Sequence, residues 1–473
     1  MRRLLLALPF LLAACATNPV TGKRELAFVS ESQEVQLGLD NAKSVVASMG
    51  LYDDSKWQVY VDSLGRRMAL ASERPQLPWK YSVIEDPAVN AFALPGGQVF
   101  VTRGILTYMN SEAELATVIG HETGHVTARH SVQQLSRQQL AQVGLAVGSV
   151  LSPKVAELSG LAGQGLGILF LKYSRDDESQ ADALGFRYAY NAGWDVREMK
   201  NMFVTLERVG AGAGRVPEWQ STHPAPENRL AKTQFRLDSL GKDLTAYRVN
   251  RDEFLRRLDG MPFGEDPRKG YFIGPQFVQP ELAIHFAFPE GWKTANSNDA
   301  VKAQDPQGAA LASLTISQAA PDQALTALAQ QQGVTVQPIT GALVPGLVSR
   351  SAYVRVTSDQ QANDGIITFV QLDGRTYQLL GVTGSGQLPT YEAAFRAWTR
   401  SFGKETDRTR LAVQPAKLQI VTASRAMSVE QFNAENPSST PFNTWLIVNG
   451  FQEGQQLKRG QLLKRIVGGG VPK

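Results

Sequence analysis

The apolar positions change period several times along the chain, and each change marks an element. Leu37, Val45 and Val46 within residues 31–48, and Trp57, Tyr60, Val61, Leu64 and Met68 within residues 53–72, fall at helical intervals, which predicts two amphipathic helices. Residues 79–84 have strand character. Asn90-Ala91-Phe92-Ala93-Leu94 and Gln98-Val99-Phe100-Val101-Thr102 flank Pro95-Gly96-Gly97, a pattern that predicts a hairpin. The chain then reaches Ser111, with Glu114 three residues on and Leu115, Val118 and Ile119 behind. That is a capping box opening a helix. Residues 140–171 are rich in Gly, Ala and Leu, but Lys154 and Glu157 interrupt them. Neither apolar piece reaches the ~18 residues of a membrane span, so two buried or covering helices are expected, with a mobile flap as one use for them. Another helix is expected behind Ser174 and Asp177, ending at Gly193, and another behind Asp195 and Glu198. The loop Thr222-His223-Pro224-Ala225-Pro226-Glu227 enters a last helix that runs to about Leu240.

After a Gly- and Pro-rich linker at 261–277 the period shortens. Residues 282–288, 310–317, 353–357 and 366–372 read as strands. Asp373-Gly374 reads as a hairpin turn before a strand at 377–382, and Pro389 as the start of a helix carrying Phe395, Trp398 and Phe402. This α+β accessory domain, 278–405, shows no catalytic cluster, and His285 alternates with apolar residues as a structural histidine does. Residues 411–468 form a small C-terminal module whose order weakly resembles a LysM-type carbohydrate-binding module; an ordinary docking domain fits it as well. The fold class is α+β, with a mainly helical first domain at 29–260 that includes a small sheet.

Composition narrows the class. The chain has 473 residues, 43% hydrophobic and 19% charged, with a formal charge of +4. That supports several apolar cores and, without a long basic run, does not point to nucleic acid. A single cysteine excludes internal disulfides and a cysteine-rich metal site. That residue, Cys15, follows Met1-Arg2-Arg3, a short apolar run and Leu12-Ala13-Ala14. A basic start, a short hydrophobic stretch and small residues make a secretory signal. This one resembles a bacterial lipoprotein signal, which implies cleavage after residue 14, lipid on Cys15 and a tether at 15–28. Ala16 in the following position, rather than Asp, implies the outer membrane, facing the periplasm. Several acyl chains on one residue anchor stably.

The candidate chemistry sits in His121-Glu122-Thr123-Gly124-His125. On a helix the two histidines share a face one turn apart and can bind one Zn²⁺, with Glu122 between them as general base. A catalytic zinc wants three protein ligands. His130 does not complete a metzincin pattern, because Ala128 and Ser131 stand where that pattern needs Gly and His; a supporting or structural role suits it better. Glu157, Asp176, Asp177 and Glu178 are the carboxylates downstream. Glu178 is favoured, because it shares a helix face with Ala181, Asp182 and Gly185, and small residues let two helices approach closely. Asp182 then suits a hydrogen bond to the distal nitrogen of a ligating histidine. Arg175 is expected to pair with a nearby carboxylate.

Residues 90–97, the His121–His125 motif, Arg129-His130, Ser174-Arg175 with Glu178, Ala181 and Asp182, and Thr222-His223-Pro224 together resemble the CAAX-prenyl-protease (Ste-type) family of zinc metallopeptidases, and most the periplasmic BepA-like branch. The resemblance covers about residues 25–260. It implies a gluzincin-type endopeptidase domain with one zinc held by His121, His125 and Glu178. It also implies quality control of misfolded or misassembled outer-membrane proteins. The tetratricopeptide repeats of some members are missing here, which puts shared partners in doubt. Asn90, Ala91, Phe92 and Ala93 can hold an extended substrate by strand addition, or form an ordinary edge strand. The resemblance places His223 beside the metal, as an oxyanion donor or as a latch on zinc. Expected partners are unfolded envelope proteins, the membrane through Cys15, and cell-wall or assembly contacts through the C-terminal half. The rival reading is a non-proteolytic assembly factor or cell-wall-binding protein with a structural or latent zinc site.

Overall fold

The structure, a computed structural model, describes residues 15–137, 172–212, 219, 223, 228–357 and 362–472. The expected helices at 140–171 lie outside the described residues. The chain divides into two compact units, Met1–Gly264 with Lys417–Val467, and Glu265–Ala416 with Gly468–Lys473.

The first unit is built around one helix, Glu112–Thr127, in which every residue is buried. A helix buried on all sides must be covered on all sides. One cover is the helix Arg175–Asn191. The backbones come so close that a Cβ on Gly120 would lie 2.9 Å from the Gly185 carbonyl oxygen, and one on Gly185 2.7 Å from the His121 nitrogen. Another cover is a three-stranded sheet. Gln98–Thr102 is its central strand, parallel to Lys80–Ile84 and antiparallel to Ala91–Leu94. The hairpin turn needs its glycines: Gly96 has φ 74° and a Cβ there would meet the Val35 Cα at 2.5 Å. The two expected helices run Glu31–Met49 and Ser55–Leu70, capped by Ser30 and Asp54.

The stretch expected as a tether is a docked hairpin instead. Cys15–Thr17 pairs with Arg24–Leu26. The buried Asn18 donates to the Ala128 carbonyl oxygen at 3.2 Å, and Phe28 N–H to Ser136 Oγ at 3.1 Å. Polar bonding, which leaves no apolar period, holds this stretch down.

Residues 417–467, expected as a module of their own, group with the first unit. Strands Ala416–Thr422 and Leu462–Gly468 pair around helices Val429–Glu435 and Phe442–Asn449. The physical reason is apolar: Trp445, Leu446, Ile447 and Val448 are consecutive and all buried, so this part of the helix is covered on every side.

The second unit holds a seven-stranded antiparallel sheet, in the order 334–338, 349–357, 362–372, 375–384, 310–317, 301–304 and 293–296. Alternate residues of the strand Ala362–Leu372 serve opposite faces: Ile367 and Phe369 pack with Ala324 of helix Pro321–Ala329, and Ile366 with Phe395 of helix Leu388–Arg400. Asp373 and Gly374, at φ 46° and 78°, make the expected two-residue turn. Sequence reasoning missed Pro321–Ala329 and the strands at 293–296, 301–304 and 334–338. Two of those strands are sheet edges with mostly exposed residues, which blurs the period of two. His285 sits on a strand, 3.6 Å from Glu405. Among the described residues no helix is long and apolar enough to cross a membrane.

Candidate metal centre

The Ser111 hydroxyl accepts from Glu114 N–H and starts the central helix. One turn of helix then separates His121 from His125, and their Nε2 atoms stand 3.0 Å apart. Ser174 and Asp177 form a full capping box on the second helix, which puts Glu178 in its first turn, against the histidines. Glu178 Oε2 is 3.4 Å from His121 Nε2, and Oε1 is 3.3 Å from His125 Nε2. His223 Nδ1 is 3.0 Å from Glu178 Oε1 and 3.4 Å from His121 Nε2. All four side chains are buried, and their donor atoms lie within 4.8 Å of one another. Four donors around zinc, each at about 2.0–2.1 Å, stand about 3.3 Å apart along a tetrahedral edge. The closest separations here match that edge.

The charges point the same way. Glu178 Oε2 and both Glu122 carboxylate oxygens are buried without a hydrogen-bond partner among the described residues. Buried acceptors without partners are costly, and a bound cation at this point relieves that cost. Burial pushes the Glu178 carboxyl up, but the histidines around it outweigh burial and hold it well below the usual carboxylate range. Burial pushes His125 far down. It also pushes His121 down, yet Asp182 and Glu178 outweigh it and raise His121 to about 9. Burial raises Glu122.

The surrounding hydrogen bonds assign the tautomers. His121 Nδ1 lies 2.9 Å from Asp182 Oδ1, so in the neutral imidazole that metal binding requires Nδ1 carries the proton and Nε2 offers its lone pair. His130 Nε2 lies 2.9 Å from Gln180 Oε1, and its Nδ1 2.9 Å from His125 Nδ1. With Nε2–H donating to Gln180, His130 Nδ1 accepts from His125 Nδ1–H, and the His125 Nε2 lone pair also faces the cluster. His130 thus stands behind the donors.

Arg229 was not found from sequence. It donates from Nε to Asp182 Oδ2 and from Nη2 to Oδ1, each at 2.7 Å, and its guanidinium lies 4.0 Å from the Phe203 ring centroid. Burial raises the Asp182 carboxyl, but Arg229 and His121 outweigh it and lower it. Arg175, expected to pair nearby, opens the second helix; the arginine on Asp182 comes from a later element. Arg229 is the first residue of the helix Arg229–Leu240, a position that carries no local signal of its partner.

Aromatic rings wall the site. Tyr173 stacks on His125 at 4.0 Å and Trp219 on His223 at 4.3 Å. The Ala91–Leu94 strand lies at the edge of its sheet and packs beside the central helix. Asn90, Ala91, Phe92 and Ala93 are all buried. Phe92 turns into a cluster with Val45, Ile84, Leu94 and Phe100, so its side chain belongs to the core.

Residues 55–236 match the model of peptidase family M48. The chain is 32% identical over 247 residues to the beta-barrel assembly-enhancing protease of Yersinia pestis, covering 50% of each chain. It is 32% identical over 235 residues to the protein of that name from Escherichia coli (strain K12), covering 47% of this chain and 48% of that one. The mitochondrial metalloendopeptidase OMA1 of Schizosaccharomyces pombe is 33% identical over 224 residues, 46% of this chain and 64% of that one. The chain spans about half the length of the first two. The expected likeness to a metallopeptidase of the BepA kind is borne out over this stretch.

Proposed function

We propose that the chain is a zinc-dependent endopeptidase of the bacterial cell envelope. The observation that carries this reading is the convergence of His121 Nε2, His125 Nε2 and a Glu178 oxygen at tetrahedral spacing, with Glu122, whose oxygens have no hydrogen bond among the described residues, beside them. His121, His125 and Glu178 would hold the ion, while Asp182 and His130 fix the imidazoles in the ligating tautomer and Arg229 fixes Asp182. Bound zinc supplies Lewis-acid polarisation of a carbonyl and lowers the pKa of water. Glu122 takes a proton from water and returns it to the leaving amine. An extended substrate aligns along the Ala91–Leu94 edge by main-chain hydrogen bonds. The test is cleavage of reduced, alkylated casein by the purified chain with added zinc. No cleavage under any metal condition sinks the reading.

His223 acts as a latch in this reading, because its Nδ1 stands among the donors, at 3.0 Å from Glu178. His223→Ala is expected to raise basal turnover while zinc stays bound. If the open form is about a tenth of the population, the rise is up to about tenfold. A fall in turnover would assign His223 to the oxyanion instead.

The similarity to the beta-barrel assembly-enhancing proteases and the N-terminal lipoprotein-type signal support an outer-membrane lipoprotein that acts on misassembled outer-membrane proteins. Palmitate labelling should be lost in Cys15→Ser; equal labelling of both forms refutes the anchor.

A further inference from the structure

Lys464, near the end of the C-terminal βααβ segment, is fully buried. Its backbone is pinned on both sides by Asn449, whose Oδ1 accepts from Lys464 N–H at 2.8 Å and whose Nδ2 donates to Lys464 O at 2.9 Å. The ammonium donates to the carbonyls of Thr107 and Met109, at 2.9 and 2.8 Å. These carbonyls end the short helix Arg103–Tyr108, where helix oxygens lack partners of their own. The next residues begin the helix that carries His121, Glu122 and His125. Glu114 in its first turn accepts from Asn110 N–H at 2.7 Å, and its carboxylate attracts Lys464. The segment is tied to the first unit elsewhere too: Arg208 donates to Phe451 O at 2.7 Å, Arg251 to Leu462 O at 2.9 Å, and Leu418 N–H to Met261 O at 2.9 Å.

We propose that Lys464 is a positioning residue for the metal-binding helix, and that the C-terminal βααβ segment is a built-in brace of the peptidase unit. A buried lysine is an expensive way to fill space, so its use should lie in what its donors hold. His121 is nine residues beyond Glu112, where the helix begins, about 14 Å along its axis, so a tilt of about 4° at the start moves the imidazole by about 1 Å. A misplacement of that size can lower turnover about a hundredfold.

The inference rests on the peptidase reading, and its test separates the two. Lys464→Met in the full chain, loaded with zinc, is assayed on reduced, alkylated casein well below its melting temperature. Expected is a fall in kcat of about tenfold to a hundredfold, with KM within twofold and one zinc retained. Folded Lys464→Met with wild-type kcat overturns the proposal, whatever its melting temperature. If Lys464→Met does not fold, Glu114→Gln replaces it, with kcat expected about threefold lower at unchanged KM; unchanged kcat again overturns it. If the wild-type chain cleaves nothing, the peptidase reading has failed. The brace is then judged by amide exchange at 112–118, which Lys464→Met should accelerate about tenfold relative to residues 55–70; equal protection overturns it.

Discussion

Glu122→Gln is expected to abolish proteolysis while leaving the metal site intact. The Glu122 side chain is fully buried, yet neither of its oxygens is hydrogen-bonded within the described residues. His223 Nε2 stands 3.7 Å from Oε1. A carboxylate without hydrogen bonds beside the candidate metal ligands is available to take a proton. Burial raises its affinity for that proton, which suits a base that must also give the proton back. Gln keeps the shape and loses the basicity. Removing general-base catalysis costs about 100- to 10,000-fold in turnover. His121, His125 and Glu178 are untouched, so metal analysis should still find one zinc per chain. Turnover within a few-fold of wild type, with zinc present, would show that another group takes the proton.

Much of this site was legible in the sequence because its chemistry is local. His121, Glu122 and His125 lie within one helical turn and a half, and Ser111 announces the helix. Glu178 and Asp182 were legible for a different reason. Their spacing repeats the face that Ala181 and Gly185 use, and the close contact of Gly120 with Gly185 is the packing those small residues allow. Arg229 was not legible, because arginine at the start of a helix carries no local signal; only the fold brings it to Asp182. Lys464 is a stronger case. A lysine in a short strand reads as a solvated residue, and nothing near it in sequence shows that Thr107 and Met109, more than three hundred residues earlier, accept its hydrogen bonds. The N-terminal hairpin was misread because Asn18 and Glu25 hold it by polar contacts that hydrophobic periodicity does not register. In the second unit the central strands alternated clearly, whereas the exposed edge strands did not.

The second large effect is expected at Glu178. Glu178→Ala removes the only carboxylate among the four candidate donors, and with it the negative charge facing three imidazoles. Two histidines on one helix are too few for a catalytic zinc, which needs three protein ligands, and His223 belongs to neither of the two helices that carry His121, His125 and Glu178. Zinc content should fall from one equivalent to near zero after dialysis, and cleavage should fall to background. A readout independent of activity comes from linkage. A ligand that binds only the folded state, at a thousand times its Kd, stabilises by about 4 kcal/mol. Adding zinc should therefore raise the wild-type melting temperature by several degrees and leave that of Glu178→Ala unchanged. The sign without metal is also informative. In wild type, Glu178 is held ionised by His223, His121 and His125. The alanine form loses those attractions and leaves His121 Nε2 and His125 Nε2 3.0 Å apart with no carboxylate between them, so the zinc-free variant should melt below zinc-free wild type. One full equivalent of zinc retained by Glu178→Ala would move the third ligand elsewhere, with Asp177, buried one residue earlier on the same helix, as the first residue to mutate.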